Sequence, residues 1–246
     1  MDEQAAGSAI GPGAESATEM TELAPGPIRV LIAEDQALLR ASFAALMNAE
    51  TDLHVVGRAA DGAQAVALAS RLRPDVVVMD IQMPGLSGIE ATRRICADSA
   101  LAGTRVLVLT MFEVEDYMLG ALRAGASGFL LKDASPQAVV DAVRTVHAGQ
   151  SLLSPQVVTT LAARGAGSAC VAGAAGAGPG AVGSAPALGR LTPRQRDVLV
   201  LIARGLSNAE IEAELGIRRA TCRSHITALL ARLGARDRAQ LVIAAY

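Results

Sequence analysis

Aromatic side chains are nearly missing: 246 residues include three Phe, two Tyr and no Trp. A core must therefore be packed from Ala, Val, Leu and Ile. Lysine is scarcer still, since Lys132 is the only one and every other basic side chain except the histidines is arginine. The three cysteines, Cys96, Cys170 and Cys222, are odd in number and far apart. That pattern excludes a disulfide framework and a CxxC metal site and suits a reducing compartment. No stretch of eighteen uncharged apolar residues occurs, so a transmembrane helix is not expected. The opening "MDEQAAGSAIGPG" is acidic and has no basic region leading into an apolar run, unlike a secretory signal. A cytoplasmic protein without membrane association is the expectation.

What is present falls into textures. Residues 1–27 mix Gly, Ala, Ser, Pro and acids without periodicity and read as a disordered tail. Residues 154–189 contain "RGAGSACVAGAAGAGPGAVGSAPALG", too poor in large apolar side chains to form a core, and read as a flexible linker. "SPQVVTTLAAR" at its start is compatible with a short helix. Two domains remain, 28–153 and 190–246. The first carries 14 acids against 11 bases and the second 5 against 10, so the overall charge of −2 conceals a basic C-terminal module. Such a split points to a nucleic-acid partner for the basic part.

Between Ile28 and Gly149, short apolar runs alternate with helical patterns: "IRVLIAED", "LHVVGRA", "PDVVVMD", "TRVLVLT" and "GFLLK" read as strands. The alternation predicts an α/β domain, a doubly wound parallel sheet of five strands with helices on both faces. Working groups of such sheets collect at the carboxyl ends of the strands. Here those ends carry Glu34 and Asp35, Asp80, Thr110 and Lys132. A single acid at a strand tip is ordinary and solvated. Three carboxylates at one edge repel one another unless a cation joins them, and oxygen ligands suit Mg²⁺. The chain's only lysine at the same edge strengthens the chemical reading.

"AED", "VVVMDIQMPGLSG", "VLVLT" and "ASGFLLKD" together resemble the receiver domain of two-component response regulators, over about residues 28–150. The resemblance implies a flavodoxin-like fold and a phosphoacceptor, Asp80, served by a partner sensor histidine kinase. Glu34, Asp35, Asp80 and the backbone carbonyl of Gln82 would hold Mg²⁺, while Thr110 and Lys132 would bind phosphoryl oxygens. Thr110 and Phe129 would form the switch; Phe129 equally suits a permanent core position. On this view Pro84 and Gly85 turn the chain away and keep the edge open.

The last part reads as helices. Thr192 caps "LTPRQRDVLVLIARG" with Pro193 at the first helical position, and Ser207 with Glu210 forms a capping box for "SNAEIEAELG". "RRATCRSHITALLARLG" follows a short turn, and Asp237 starts a final helix. Cys222, Ile226, Leu229 and Leu233 form one buried stripe, away from Thr221, Arg223, Ser224, Thr227 and Arg232. Two short helices around a tight turn, the second basic on its free face, suit either a small bundle or a helix-turn-helix reader of DNA.

These residues are similar to the LuxR/NarL-type DNA-binding domain over about residues 190–245. That resemblance implies an all-α helix-turn-helix domain in which Arg223, Ser224 and Thr227 face bases. Ser207, Asn208 and Thr221 would lie near phosphates, and the last helix would be a dimer contact. The chain departs from the usual pattern at Gln195, Glu212, Arg218, Cys222 and Arg223. Arg218 replaces a helix cap and is a candidate phosphate contact; Glu212 puts an acid near the DNA.

The combination is read as a regulator and not an enzyme: a transcription factor phosphorylated on Asp80 that binds double-stranded DNA as a homodimer. A phosphate sink with an impaired reader is the alternative. An Mg²⁺-dependent phosphohydrolase normally has a second acid two residues past the nucleophile, where Gln82 stands. The long linker favours loosely coupled domains.

Overall fold

The computed structural model describes residues 26–111, 115–150, 189 and 191–245. The expected tail, apart from Gly26 and Pro27, and nearly all of the expected linker, including "SPQVVTTLAAR", lie outside the described residues. The N-terminal part builds β1 (Ile28–Ala33), α1 (Ala37–Asn48), β2 (Leu53–Ala59), α2 (Gly62–Leu72) and β3 (Val76–Asp80). It continues with α3 (Gly88–Ala97), a 3₁₀ turn (Ser99–Leu101), β4 (Arg105–Thr110), α4 (Glu115–Arg123), β5 (Gly128–Leu131) and α5 (Pro136–His147). The sheet is parallel in the order β2-β1-β3-β4-β5.

Both faces of this sheet are covered, which is why the strands read as unbroken apolar runs. Side chains alternate between two cores, as the period of two requires. Val30, Ile32, Val76, Val78, Leu107 and Leu109 pack with Phe43 and Met47 of α1 and with Val139 and Val143 of α5. Leu31, Val77, Met79, Val106 and Val108 point the other way, into a core with α2, α3 and α4. Burying each such side chain contributes about 1.5–3 kcal/mol, so aliphatics alone suffice to close both layers.

The C-terminal part contains α6 (Pro193–Ala203), α7 (Asn208–Leu215), α8 (Arg219–Leu233) and α9 (Arg238–Ala245). Its punctuation follows the sequence. Thr192 and Ser207 each close a capping box, with Gln195 and Glu210 respectively, and Gly216 and Gly234 end α7 and α8 in the left-handed conformation. Cys222, Leu229 and Leu233 are buried as the stripe requires, with Ile226 half-buried.

The two parts dock, which departs from the loose coupling inferred from linker length. Ser127 Oγ, at the start of β5, donates to Asp237 Oδ2 at 2.5 Å. Gln240 Nε2 donates to the carbonyls of Leu122 (3.1 Å) and Ala126 (3.4 Å), and Arg236 to those of Thr104 (2.6 Å) and Leu101 (2.9 Å). Helix α9 packs on α4. Linker length sets how far two domains can separate and says nothing about whether their surfaces match. The match lies in two side chains, Arg236 and Gln240, that donate to backbone carbonyls at the ends of the 3₁₀ turn and α4, and in the Ser127–Asp237 pair.

Candidate functional site

The switch point of the sheet lies between β1 and β3, where the chain turns from building one side to building the other. Glu34 and Asp35 follow β1, Asp80 ends β3, Thr110 ends β4 and Lys132 follows β5. These four neighbouring strands bring all five residues to one corner. Ligand oxygens of Glu34, Asp35 and Asp80 lie within 4.8 Å of one another. Asp35 is exposed, whereas Glu34 and Asp80 are only 1% and 3% exposed.

Lys132 Nζ bridges the two buried acids, at 2.7 Å from Glu34 Oε2 and 2.9 Å from Asp80 Oδ2. Burial pushes the Glu34 carboxyl above its ordinary range, since the hydrogen bond from Lys132 only partly offsets desolvation and the neighbouring Asp80 charge adds to it. For Lys132, burial disfavours the ammonium, but the hydrogen bonds and charges of Glu34 and Asp80 outweigh it and raise the pKa. Three carboxylates against one ammonium leave the corner with an excess of negative charge when all are ionised. Hard oxygen donors at these separations fit a divalent cation such as Mg²⁺.

Backbone geometry shapes the turn after β3. Gly85 takes φ +71 in the turn after Met83 and Pro84, and the amide of Gly88 donates to the Ile81 carbonyl at 2.9 Å. A Cβ on Gly88 would meet the Asp80 carbonyl oxygen at 1.8 Å, so only glycine lets the start of α3 rest on the Asp80 backbone. The motif containing Gly88 was legible in the sequence, but the close approach that requires it was not. Gln82 is exposed in this turn. Thr110 is buried, and its carbonyl accepts the Lys132 amide at 2.8 Å, which ties the ends of β4 and β5 together. Phe129 is 8% exposed and packs in the α2–α4 core, opposite Val108 on β4.

The second cluster of predicted residues has the opposite character. On α8, Thr221, Arg223, Ser224 and Thr227 are all exposed on one face, with Arg219 beside them. Arg218 takes the N-cap backbone conformation of α8, but its side chain makes no capping bond, so its charge stays exposed. Ser207 is exposed but its hydroxyl is engaged in capping α7. Asn208 is half-buried and its side-chain oxygen accepts from Arg238 at 2.7 Å. Arg238 also donates to the Leu206 carbonyl, so it fixes the entry to α7. Gln195 receives 2.9 Å from Arg232 Nη1, which links the start of α6 to the end of α8. Glu212 is half-buried. The interdomain residues Ser127, Arg236, Asp237 and Gln240 escaped sequence reasoning except for Asp237 as a helix start. Polar residues without a periodic face give no signal of their own.

Both parts of the chain match known families. Residues 30–144 match the response regulator receiver domain, and residues 189–245 match the bacterial regulatory proteins of the luxR family. The uncharacterized transcriptional regulatory protein YxjL of Bacillus subtilis (strain 168) is 37% identical over 216 residues, covering 88% of this chain and 94% of that protein. The transcriptional regulatory protein LiaR of the same organism is 36% identical over 219 residues, covering 89% and 97%. Among solved structures, a LuxR-family two-component response regulator from an Aurantimonas species is 33% identical, with a TM-score of 0.52, covering 57% of this chain and 99% of that one. Among the described residues no helix is long and apolar enough to cross a membrane. The chain belongs to the two-component response regulators that join a receiver domain to a LuxR-type DNA-binding domain, and it is a DNA-binding transcription regulator.

Proposed function

We propose that Asp80 accepts a phosphoryl group from a phosphohistidine of a cytoplasmic sensor kinase domain, and that this controls DNA binding through α8. The observation that carries the reading is the corner itself: Lys132 bridging Glu34 and Asp80, with Asp35 completing a three-carboxylate cluster. Domain limits of 28–153 and 190–246 follow from the sequence textures, with residues 154–189 as linker and 1–27 as tail.

Glu34, Asp35, Asp80 and the backbone carbonyl of Gln82 would hold Mg²⁺, which supplies charge neutralisation for the phosphoryl oxygens. An Asp80 carboxylate oxygen attacks phosphorus in line. The P–N bond to the kinase imidazole breaks, its electron pair stays on the imidazole nitrogen, and Asp80 becomes an acyl phosphate. Lys132 then exchanges its contact with the Asp80 carboxylate for one with a phosphoryl oxygen. Thr110 offers its hydroxyl to another. Buried β3 fixes the attacking oxygen, so little reorganisation is needed at the moment of transfer.

On α8, Arg223 is placed to bond guanine in bidentate fashion, with Ser224 and Thr227 on adjoining bases and Thr221, Ser207 and Arg218 at the backbone. Arg238 holds the Asn208 oxygen, which leaves the Asn208 side-chain amide to donate to a phosphate. Two copies on a repeated half-site give affinity through linked binding, so the active form is a homodimer. The test is incubation of the full chain with a small-molecule phosphodonor and Mg²⁺. One phosphoryl group per chain is expected by intact mass, and none on Asp80→Asn. Phosphorylation of Asp80→Asn at the wild-type level would refute the assignment.

A further inference from the structure

The loop that presents Glu34 and Asp35 has one long side-chain tie at the helix start, the Gln36 amide donating to Glu34 Oε1 at 3.4 Å. Gln36 stands at the N-cap of α1, but its side chain makes no capping bond, and the first turn contains no acid. The Asp35 carboxylate is exposed and has no hydrogen bond or ion pair among the described residues. Yet its oxygen sits within 4.8 Å of those of Glu34 and Asp80. Since the side chain is not held, its direction must come from the backbone.

Arg40, one turn into α1, provides that constraint. Its Nη1 donates to the Glu34 carbonyl at 2.5 Å and to the Asp35 carbonyl at 3.1 Å. Its own amide donates to the Gln36 carbonyl at 2.9 Å, closing the first turn of the helix. The Glu34 carbonyl belongs to the peptide plane before Asp35, and the Asp35 carbonyl to the plane after it. A peptide unit is planar, so holding both carbonyl oxygens restricts φ and ψ of Asp35. The direction of its Cα–Cβ bond follows. Bonds from a charged donor are the stronger kind, and two from one nitrogen resist rotation of the loop.

We propose that Arg40 is a positioning residue of the cation site: it clamps the carbonyls of Glu34 and Asp35 and so aims the Asp35 carboxylate at the ion. This rests on the reading of the acidic corner as an Mg²⁺ site. Arg40 touches neither the ion nor the phosphoryl group, and it acts through the backbone of the ligands.

Charge and clamp predict opposite signs, which makes the assignment testable. By Coulomb repulsion alone, removing a nearby guanidinium strengthens cation binding. Removing a clamp weakens it, and loss of an outer-shell partner of a metal site typically lowers affinity about 10–100-fold. The experiment is titration calorimetry of free Mg²⁺ into the full chain, for wild type, Arg40→Ala, Arg40→Lys and the exposed control Arg71→Ala. Thermal unfolding of each without Mg²⁺ runs alongside.

The expected result is a dissociation constant raised about 10-fold in Arg40→Ala. Arg40→Lys keeps the charge and its repulsion of the ion but not the two-carbonyl clamp, so it binds at least as weakly as Arg40→Ala, and Arg71→Ala matches wild type. A merely structural role would lower the unfolding temperature and leave the affinity of the folded protein unchanged, and that result overturns the proposal. Tighter binding by Arg40→Ala overturns it in favour of simple repulsion. Should the alanine variant fail to fold, the lysine variant carries the same comparison. A wild type that binds no Mg²⁺ refutes the reading of the corner itself, and the role of Arg40 with it.

Discussion

The phosphoacceptor corner and the reading face of α8 solve opposite problems. In the corner, charged groups are buried and bound to one another: Lys132 is held between Glu34 and Asp80, and the side chains of all three are at most 4% exposed. On α8 the groups assigned to DNA are exposed, and a buried stripe behind them does the holding. The corner must keep oxygens in place for a transfer, so its electrostatics are strong and unscreened. The helix must meet a polyanion, so its arginines stay solvated until DNA arrives. A substitution in the corner should therefore cost the protein its own stability, and one on α8 should cost only binding.

The sharpest way to break that contrast is Lys132→Met. It leaves Glu34 and Asp80 buried without their ammonium, and loss of one partner from a buried pair costs about 3–5 kcal/mol. Chemical denaturation without Mg²⁺ should show that loss, with much of it recovered in excess Mg²⁺. Equal stability of variant and wild type would mean the corner is solvated like α8. Arg223→Ala comes next: specific DNA affinity should fall by about 1–3 kcal/mol with the unfolding curve unmoved. Binding titrations over several salt concentrations check it, since loss of a base contact should be larger on specific than on random DNA.

The legibility of these regions in the sequence differed for the same physical reason. Strand ends carry side chains to a common edge whatever the loops do, so Glu34, Asp35, Asp80, Thr110 and Lys132 were all found from position and residue type. Helical periodicity likewise separated Cys222, Leu229 and Leu233 from Arg223 and Ser224. Tertiary close approach has no such local rule. Gly88 beneath Asp80, Arg238 on Asn208, the Ser127–Asp237 pair, and the seating of Arg236 and Gln240 on distant carbonyls depend on surfaces that meet only after folding. That is also why linker composition misled on coupling.

The interdomain contact lies between the two regimes. Burial raises the Asp237 pKa, although the bonds from Ser127 and the Gln240 amide oppose it. An acid whose folded value is raised binds its proton more readily in the native state. Its contribution is full below the ordinary carboxylate value and is lost as pH rises through the folded one. The docked form should therefore loosen as pH rises through that window, and Asp237→Asn should flatten the dependence. Asp237→Leu leaves Ser127 Oγ unpaired and should weaken docking by about 1–3 kcal/mol. Small-angle scattering reads both as an increase in radius of gyration. The smallest effect is expected from Glu212→Ala. Removing one half-buried acid beside a DNA-binding helix should strengthen binding by under about 1 kcal/mol, and more at low salt.

On the proposed function, chemistry at Asp80 controls reading by α8. It is tested most directly by affinity of the full chain for genomic fragments it selects, with and without a phosphodonor and Mg²⁺, beside Asp80→Asn. The predicted result is enrichment of a repeated half-site, stronger after phosphorylation of the wild type and unresponsive to phosphodonor in Asp80→Asn. Equal affinity in both phosphorylation states, or an unaltered response in Asp80→Asn, would contradict it.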